Sequence, residues 1–249
     1  MKKLMTAMAA CVFAGAVFAQ VESLNIVGYL SQPLTGGNFN MYVVPFEAVG
    51  GGDISIPDLL SGDLTPGGGA GSADNILIWN PATSGYDVYY LYDNGDGTAT
   101  WWKGDDSAEM GTVPPGTTFW YEAKGGNGSV TVAGQVITTA TFNLAVTGGN
   151  FNMLANPYPV AFDPNDTAAI DWLACGATPG AGAGGADNIL IWDASTSGYT
   201  VYYLYDNGDS TATWWYGDDS AEADPIPAGV PFWYESKGSS FTAVFKKTF

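Results

Sequence analysis

The sequence predicts an all-β protein made of two tandem homologous domains, each β-sandwich-like or a partly closed barrel with one short helix. Three observations carry this expectation. A long internal repeat divides the chain, short apolar and aromatic runs alternate with Gly, Pro, Asn and Asp turns, and helical periodicity is almost absent.

The repeat comes first. Thr35-Gly-Gly-Asn-Phe-Asn-Met41 recurs at Thr147 to Met153, Ala73 to Trp79 recurs at Ala186 to Trp192, and Phe119 to Glu122 recurs at Phe232 to Glu235. Between Ala73 and Glu109 the copies differ at only a handful of positions, such as Lys103 against Tyr216. A period of about 112 to 113 residues is far longer than a solenoid unit and fits a complete domain. Copy one is placed at residues 20–134 and copy two at 135–249. The boundary is set near Gly134, where the last strand of one copy passes straight into the first of the next.

Within a copy the elements read mostly as strands. Asn75 to Trp79 is an apolar run bounded by Asp74 and Asn80-Pro81. Asp87 to Tyr92 and Thr98 to Trp102 flank Asp93-Asn-Gly-Asp-Gly97, which supplies the residues a hairpin turn needs. Thr117 to Glu122 and Ser129 to Val136 are two further strands. One or two helical turns are expected at Ile56 to Leu60. In copy two, Asp166 is expected to cap a helix over Thr167 to Ala174, stopped by Gly176.

The N-terminus reads as an export signal. Lys2 and Lys3 precede an apolar stretch from Leu4 to Phe18, and Val17-Phe18-Ala19 places cleavage before Gln20, so residues 1–19 are the signal peptide. A lipoprotein cut before Cys11 would leave Val12 to Phe18 on the mature chain and is the poorer reading. No later segment approaches a membrane span. The expected location is secreted, at the cell surface or in the extracellular space, with the periplasm open.

Composition removes whole classes of function. The net charge is −18, the only cations after residue 19 are Lys103, Lys124, Lys237, Lys246 and Lys247, and arginine is absent from the chain. Such a chain cannot neutralise nucleic-acid phosphates. Histidine is missing, which excludes Ser-His-Asp and Cys-His catalysis and the usual zinc sites. Beyond the signal only Cys175 remains, so no intramolecular disulfide can form; a lone buried small hydrophobe is preferred to an intermolecular bridge.

Asn25-Ile-Val-Gly-Tyr29, Gly148-Gly-Asn-Phe-Asn-Met-Leu-Ala-Asn-Pro157 and the later aromatic strand resemble a β-domain of secreted proteins from planctomycete- and verrucomicrobia-type bacteria. The resemblance covers both copies, although copy one departs from it at Tyr42-Val-Val-Pro45, where Ala-Asn is lost. It implies fold and compartment and brings no catalytic residues with it.

Four constellations bear on chemistry. The Gly-rich stretches Pro66 to Gly71 and Pro179 to Gly185 carry no cation and precede strands, so they read as flexible loops rather than phosphate cradles. Asp93 and Asp96, with Asp206 and Asp209 in copy two, have the oxygen chemistry calcium needs, and Asp105, Asp106, Asp218 and Asp219 could add ligands. These residues lack EF-hand spacing and equally suit tight turns, so the turn is preferred and calcium is left open as the one candidate cofactor. Glu122 with Asp105 or Asp106, and Glu235 with Asp218 or Asp219, are the pairs a glycoside hydrolase would use. Their duplication with the whole scaffold argues against a single catalytic cleft, and the chain is read as no enzyme.

Aromatic residues are the fourth. Tyr89, Tyr90, Trp101, Trp102 and Trp120, repeated as Tyr202, Tyr203, Trp214, Trp215 and Trp233, lie on adjacent strands, together with Tyr92 and Tyr205. Strand alternation sends Trp101 and Trp102 to opposite faces, so one face should present partly exposed rings. Such a face stacks on sugar, packs on another protein copy, or is covered by loops and the sister domain. The expected function is a secreted, non-catalytic structural or adhesive protein of the cell surface or extracellular matrix, with a pair of carbohydrate-binding modules as the alternative and a glycoside hydrolase third. Its partners would be copies of itself, other surface proteins or polysaccharide. The end strands at Leu24 to Leu30 and Phe241 to Phe245 suggest head-to-tail contacts that do not close, against which Lys246 and Lys247 stand as edge protection.

Overall fold

The computed structural model describes residues 27–55, 60–80, 83 and 85–249. The proposed signal peptide, most of the Leu24–Leu30 strand before Val27 and most of the helical turn expected at Ile56 to Leu60 lie outside the described residues. The fold is almost entirely β. None of its sheets closes into a barrel, so the sandwich-like alternative is the one realised.

Copy one contributes β1 (Val27–Leu34), β2 (Phe39–Val43), β3 (Phe46–Glu47), β4 (Ile54–Ser55), β5 (Leu60–Gly62), β6 (Asn75–Asn80), β7 (Gly85–Asp93), β8 (Ala99–Lys103), β9 (Thr112–Val113), β10 (Thr118–Glu122) and β11 (Gly128–Val136). Strands β2-β10-β6-β7-β8 form a five-stranded antiparallel sheet. Its inner face packs on a smaller sheet, β1-β11-β3 with β5 beside β11. Tyr42, Ile76, Leu91, Trp101, Phe119 and Tyr121 from the large sheet meet Leu34, Phe46, Leu60, Val130 and Val132 in one buried cluster.

Copy two follows with β12 (Thr141–Val146), β13 (Phe151–Leu154), α1 (Trp172–Cys175), β14 (Asn188–Asp193), β15 (Gly198–Asp206), β16 (Ala212–Tyr216), β17 (Phe232–Glu235) and β18 (Phe241–Lys246). Its five-stranded sheet, β13-β17-β14-β15-β16, repeats the order of the first, and β12-β18 is the reduced partner sheet. A second buried cluster, from Ile137 to Phe245, fills the space between them. Strand β11 runs past Gly134 to Val136, and β12 begins only at Thr141.

The single helix among the described residues is shorter than expected. Asp166 accepts from Ala168 N at 2.8 Å and closes only a turn, while Asp171 caps Trp172–Cys175 by accepting from Ala174 N. Competition from the sheet explains the difference: the Ala169 carbonyl accepts from Lys246 N, which a helix over this stretch would have reserved for itself. Gly176 does end the helix, in the left-handed conformation, φ 113°. Cys175 is half-buried, and its Sγ accepts from Val244 N.

A buried carboxylate organises each copy. Asp74 is fully buried and accepts from Thr65 N at 2.7 Å, Lys124 N at 2.6 Å and the Tyr121 hydroxyl at 2.5 Å. Asp187 repeats this with Thr178 N, Lys237 N and the Tyr234 hydroxyl. Three donors compensate the desolvation of each carboxylate. Burial, aided by the neighbouring carboxylate, holds both tyrosine pKa values far above the ordinary range. The Gly-rich loop is thereby tied down: Gly67 N donates to Leu91 O, Asp93 N donates to Gly67 O, and the loop lies alongside β7. Copy two repeats these bonds through Gly180, so the flexible-loop reading does not hold in either copy.

Candidate functional site

Alternation along β8 settles the adjacent tryptophans. Trp101 is 2% exposed and points into the core, its ring edge-on to Tyr121, whereas Trp102 faces outward and is half-buried. In copy two Trp214 is 1% exposed and inward, and Trp215 is outward. Tyr89 packs against the first core and Tyr202 is buried in the second, so these two, with Trp101 and Trp214, are not on the outer face. Tyr90, Trp102, Trp120, Tyr203, Trp215 and Trp233 are.

Register aligns the outer residues in rows. Trp102 lies opposite Tyr90, Tyr90 opposite Asn75, Asn75 opposite Glu122, and Glu122 opposite Phe39. Copy two repeats the row as Trp215, Tyr203, Asn188, Glu235 and Phe151. Glu122 is held between Asn75 Nδ2 at 2.7 Å and the Lys124 ammonium, and Glu235 between Asn188 and Lys237.

At one end of the row is a hollow of about 340 Å³ lined by Gly68, Tyr90, Tyr92, Trp102 and Asp106. The Tyr90 hydroxyl donates to Asp106 Oδ1 at 2.5 Å, which pushes the tyrosine up to about 12. Tyr203 makes the same bond to Asp219 and is pushed up to about 12. Asp106 and Asp219 sit at φ 57° and 61°, a conformation Asp tolerates, and each thereby brings a carboxylate to the rim beside two aromatic rings.

The other acids close turns. Asp93 accepts from Gly95 N, and Asp96 accepts from both Thr98 N and the Thr98 hydroxyl; Asp206 and Asp209 do likewise with Gly208 and Thr211. Asp105 and Asp218 bind Ser107 and Ser220. These side-chain bonds hold Asp96, Asp105, Asp209 and Asp218 below the usual carboxylate range. Among the described residues no three acids or cysteines are grouped to hold a metal.

No protein-family model, curated protein or solved structure matches this chain. Its own geometry is what bears on function.

That geometry includes a joint between the copies. The β14–β15 hairpin of copy two lies over the outer face of copy one. Trp192 meets Trp120 edge-on at 5.5 Å, and its indole N–H donates to Phe39 O at 2.8 Å. Asn38 Nδ2 donates to Ala194 O at 2.7 Å. This cover leaves Trp120 only 9% exposed, whereas the matching Trp233 stays half-buried beside Phe151, which is 50% exposed.

The joint is reciprocal. Leu30 and Gln32 of β1 press on the turn at Gly229, where Gln32 Nε2 donates to the glycine carbonyl at 2.5 Å. Their counterparts Phe142 and Leu144 of β12 press on the matching turn at Gly116. No Cβ fits at Gly229 without displacing Leu30. The matched residues Tyr86 and Tyr199 line one hollow of about 300 Å³ together with Phe39, Leu77, Trp120 and Trp192. The first strand of each copy thus touches the matching turn of the other, and the matched tyrosines meet in one hollow.

Sequence reasoning missed Phe39, Trp79, Tyr86, Phe151, Trp192 and Tyr199 as members of the outer face. Counting alternation back from the buried Ile76 and Ile189 would have placed Trp79 and Trp192 there.

Proposed function

We propose that the chain is an exported, non-catalytic adhesive or structural protein of the cell exterior, and that it adheres by binding polysaccharide on the outward aromatic face of both copies. One observation carries the reading: Trp102 and Tyr90 with Asp106 recur as Trp215 and Tyr203 with Asp219, each set outward on its sheet. An outward ring beside a carboxylate offers apolar surface and a hydrogen-bond acceptor together, which is what a sugar ring requires. Two such sets on one chain raise avidity for a repeating polymer without any new contact. The acid pairs considered for hydrolysis support binding over catalysis, because Glu122 and Glu235 are engaged by Lys and Asn.

The test is retention on insoluble polysaccharides, followed by a glycan array. The single variants Trp102→Ala and Trp215→Ala should each weaken retention, and the double variant should lose it while the protein remains folded. Undiminished retention by the folded double variant would overturn the assignment of this face.

Assembly with copies of itself is a second reading, favoured by one observation. Strand β1 is a sheet edge on which Val27 and Tyr29 are 63% and 77% exposed. An edge of that kind offers its ladder to a neighbouring molecule. Sizing at high protein concentration with and without Tyr29→Lys checks it: concentration-dependent oligomers abolished by the substitution are the expected result, and a monomer throughout would sink it.

A further inference from the structure

The two sides of the joint are not equivalent. On one side Trp192 is seated on Phe39 O and Asn38 is bonded to the hairpin tip. On the other side the matching residues Trp79, Phe151 and Asn150 stand around an open cleft of about 430 Å³. Among the described residues, no hydrogen bond engages the Trp79 indole N–H or the Asn150 side-chain amide. The sealed side therefore shows what these groups do when paired, and the open side keeps the same rings and donors without that pairing.

The sequence differs at this place too. The cleft carries Thr117 and Thr118 where the sealed side has Val230 and Pro231, although the copies are otherwise closely alike along this strand. On the open side the Thr117 hydroxyl donates to Pro114 O at 2.7 Å and the Thr118 hydroxyl donates across to Met153 O at 3.0 Å, whereas Val230 packs against the core of copy two. No Asp, Glu, Lys or Arg is among the residues lining the cleft. The surrounding chain is strongly acidic, which disfavours an anionic ligand. The cleft volume lies within the range of small-molecule sites.

We infer that this cleft is a third carbohydrate site, taking one or two rings of a neutral sugar chain between Trp79 and Phe151, with Asn150 and the Trp79 N–H donating to its hydroxyls. It rests on the polysaccharide reading above and adds a ligand class, uncharged pyranose, and a location distinct from the Trp102 and Trp215 sets. An uncharged sugar has the two properties the lining calls for: an apolar ring face for the aromatic side chains and hydroxyls for the unspent donors. The same hydroxyls replace the carbonyl and amide partners that the sealed side finds within the protein.

The experiment titrates the purified full chain with soluble cello-, manno-, xylo- and chito-oligosaccharides. Indole and side-chain amide resonances are followed by NMR, with Trp79 assigned through Trp79→Phe and Asn150 through Asn150→Ala. Asn150 is exposed, so its replacement leaves the fold intact and isolates the ligand contact. The expected result is saturable movement of the Trp79 and Asn150 signals with one of the series, and affinity about tenfold weaker in Asn150→Ala. Saturable movement confined to the Trp102 and Trp215 indoles would overturn the cleft site and leave the function standing. Failure of every series, and of the polysaccharides, to bind anywhere would overturn both.

Discussion

Replacing each tryptophan of the adjacent pairs by alanine separates the buried face from the binding face. Trp101 and Trp214 are almost fully buried, and Trp214 packs edge-on against Trp172 at 5.5 Å and Tyr234 at 6.2 Å. Truncating a core tryptophan costs about 3–5 kcal/mol, which for a chain of this length lowers the melting temperature by roughly 10 °C. Trp102 and Trp215 already leave part of their rings in water, so the same change there costs about 1 kcal/mol and a few degrees. Trp214 provides an internal control, because its Nε1 is buried without a hydrogen-bond partner. Trp214→Phe relieves that orphan donor, returning about 1–3 kcal/mol against the area it gives up, so it should be far milder than Trp214→Ala. Scanning calorimetry of the four alanine variants and Trp214→Phe reads all of this. A larger loss at Trp102 than at Trp101 would mean that β8 is out of register by one residue, and equal losses would mean that neither ring is free for a ligand; either result would overturn the assignment of the binding face.

Three further outcomes follow from the geometry. Asp187→Asn leaves one of three buried donors facing an amide instead of an oxygen and should cost about 3 kcal/mol in urea unfolding, with Tyr234→Phe milder; no loss would show that the carboxylate is not the tie that holds the loop. Tyr90 and Tyr203 bond Asp106 and Asp219, and their pKa is raised to about 12, so what the bonds contribute is intact below the ordinary tyrosine value near 10 and disappears as pH rises through about 12. Ultraviolet titration should show Tyr90 and Tyr203 among a group of late tyrosines, and Asp106→Asn should move one of that group down. The turn acids spend oxygens on local donors, so thermal unfolding should be the same in chelator and in millimolar calcium; a clear rise with calcium would restore the metal reading.

Local features were legible in the sequence because their causes are local. Asn94-Gly95 and Asp96-Gly97 make the expected turn, with Gly95 and Gly97 at φ 77° and 85°, and Gly176 stops the helix through its own backbone freedom. Period-two alternation placed Trp101 and Trp102 on opposite faces, though the parity had to come from the register with β7. The sequence pattern marks Asp74 only as a strand boundary. Its role depends on Thr65, Tyr121 and Lys124, which converge on it only once β10 has paired with β6. The helix over Thr167 to Ala174 failed for the same reason, since β18 claims a carbonyl that local propensity assigned to the helix.

The joint between copies was the least legible feature, and its logic runs against intuition about repeats. Tandem copies suggest translation along an axis, with an unsatisfied contact at each end. Here β1 reaches the turn at Gly229 while β12 reaches the turn at Gly116, so each copy both gives and receives the same contact. Both of these contacts are made within one chain. The matched residues Tyr86 and Tyr199 also meet, in one hollow between the copies. Perfect symmetry would seal both flanks or neither. The chain seals one, with Trp192 on Phe39, and departs from its own repeat on the other, at Thr117 and Thr118 against Val230 and Pro231. Along the Phe-Trp-Tyr-Glu strand the copies are identical, and the two residues just before it are where they part, at the rim of the open flank; the Trp79–Phe151 cleft is where a ligand should be sought.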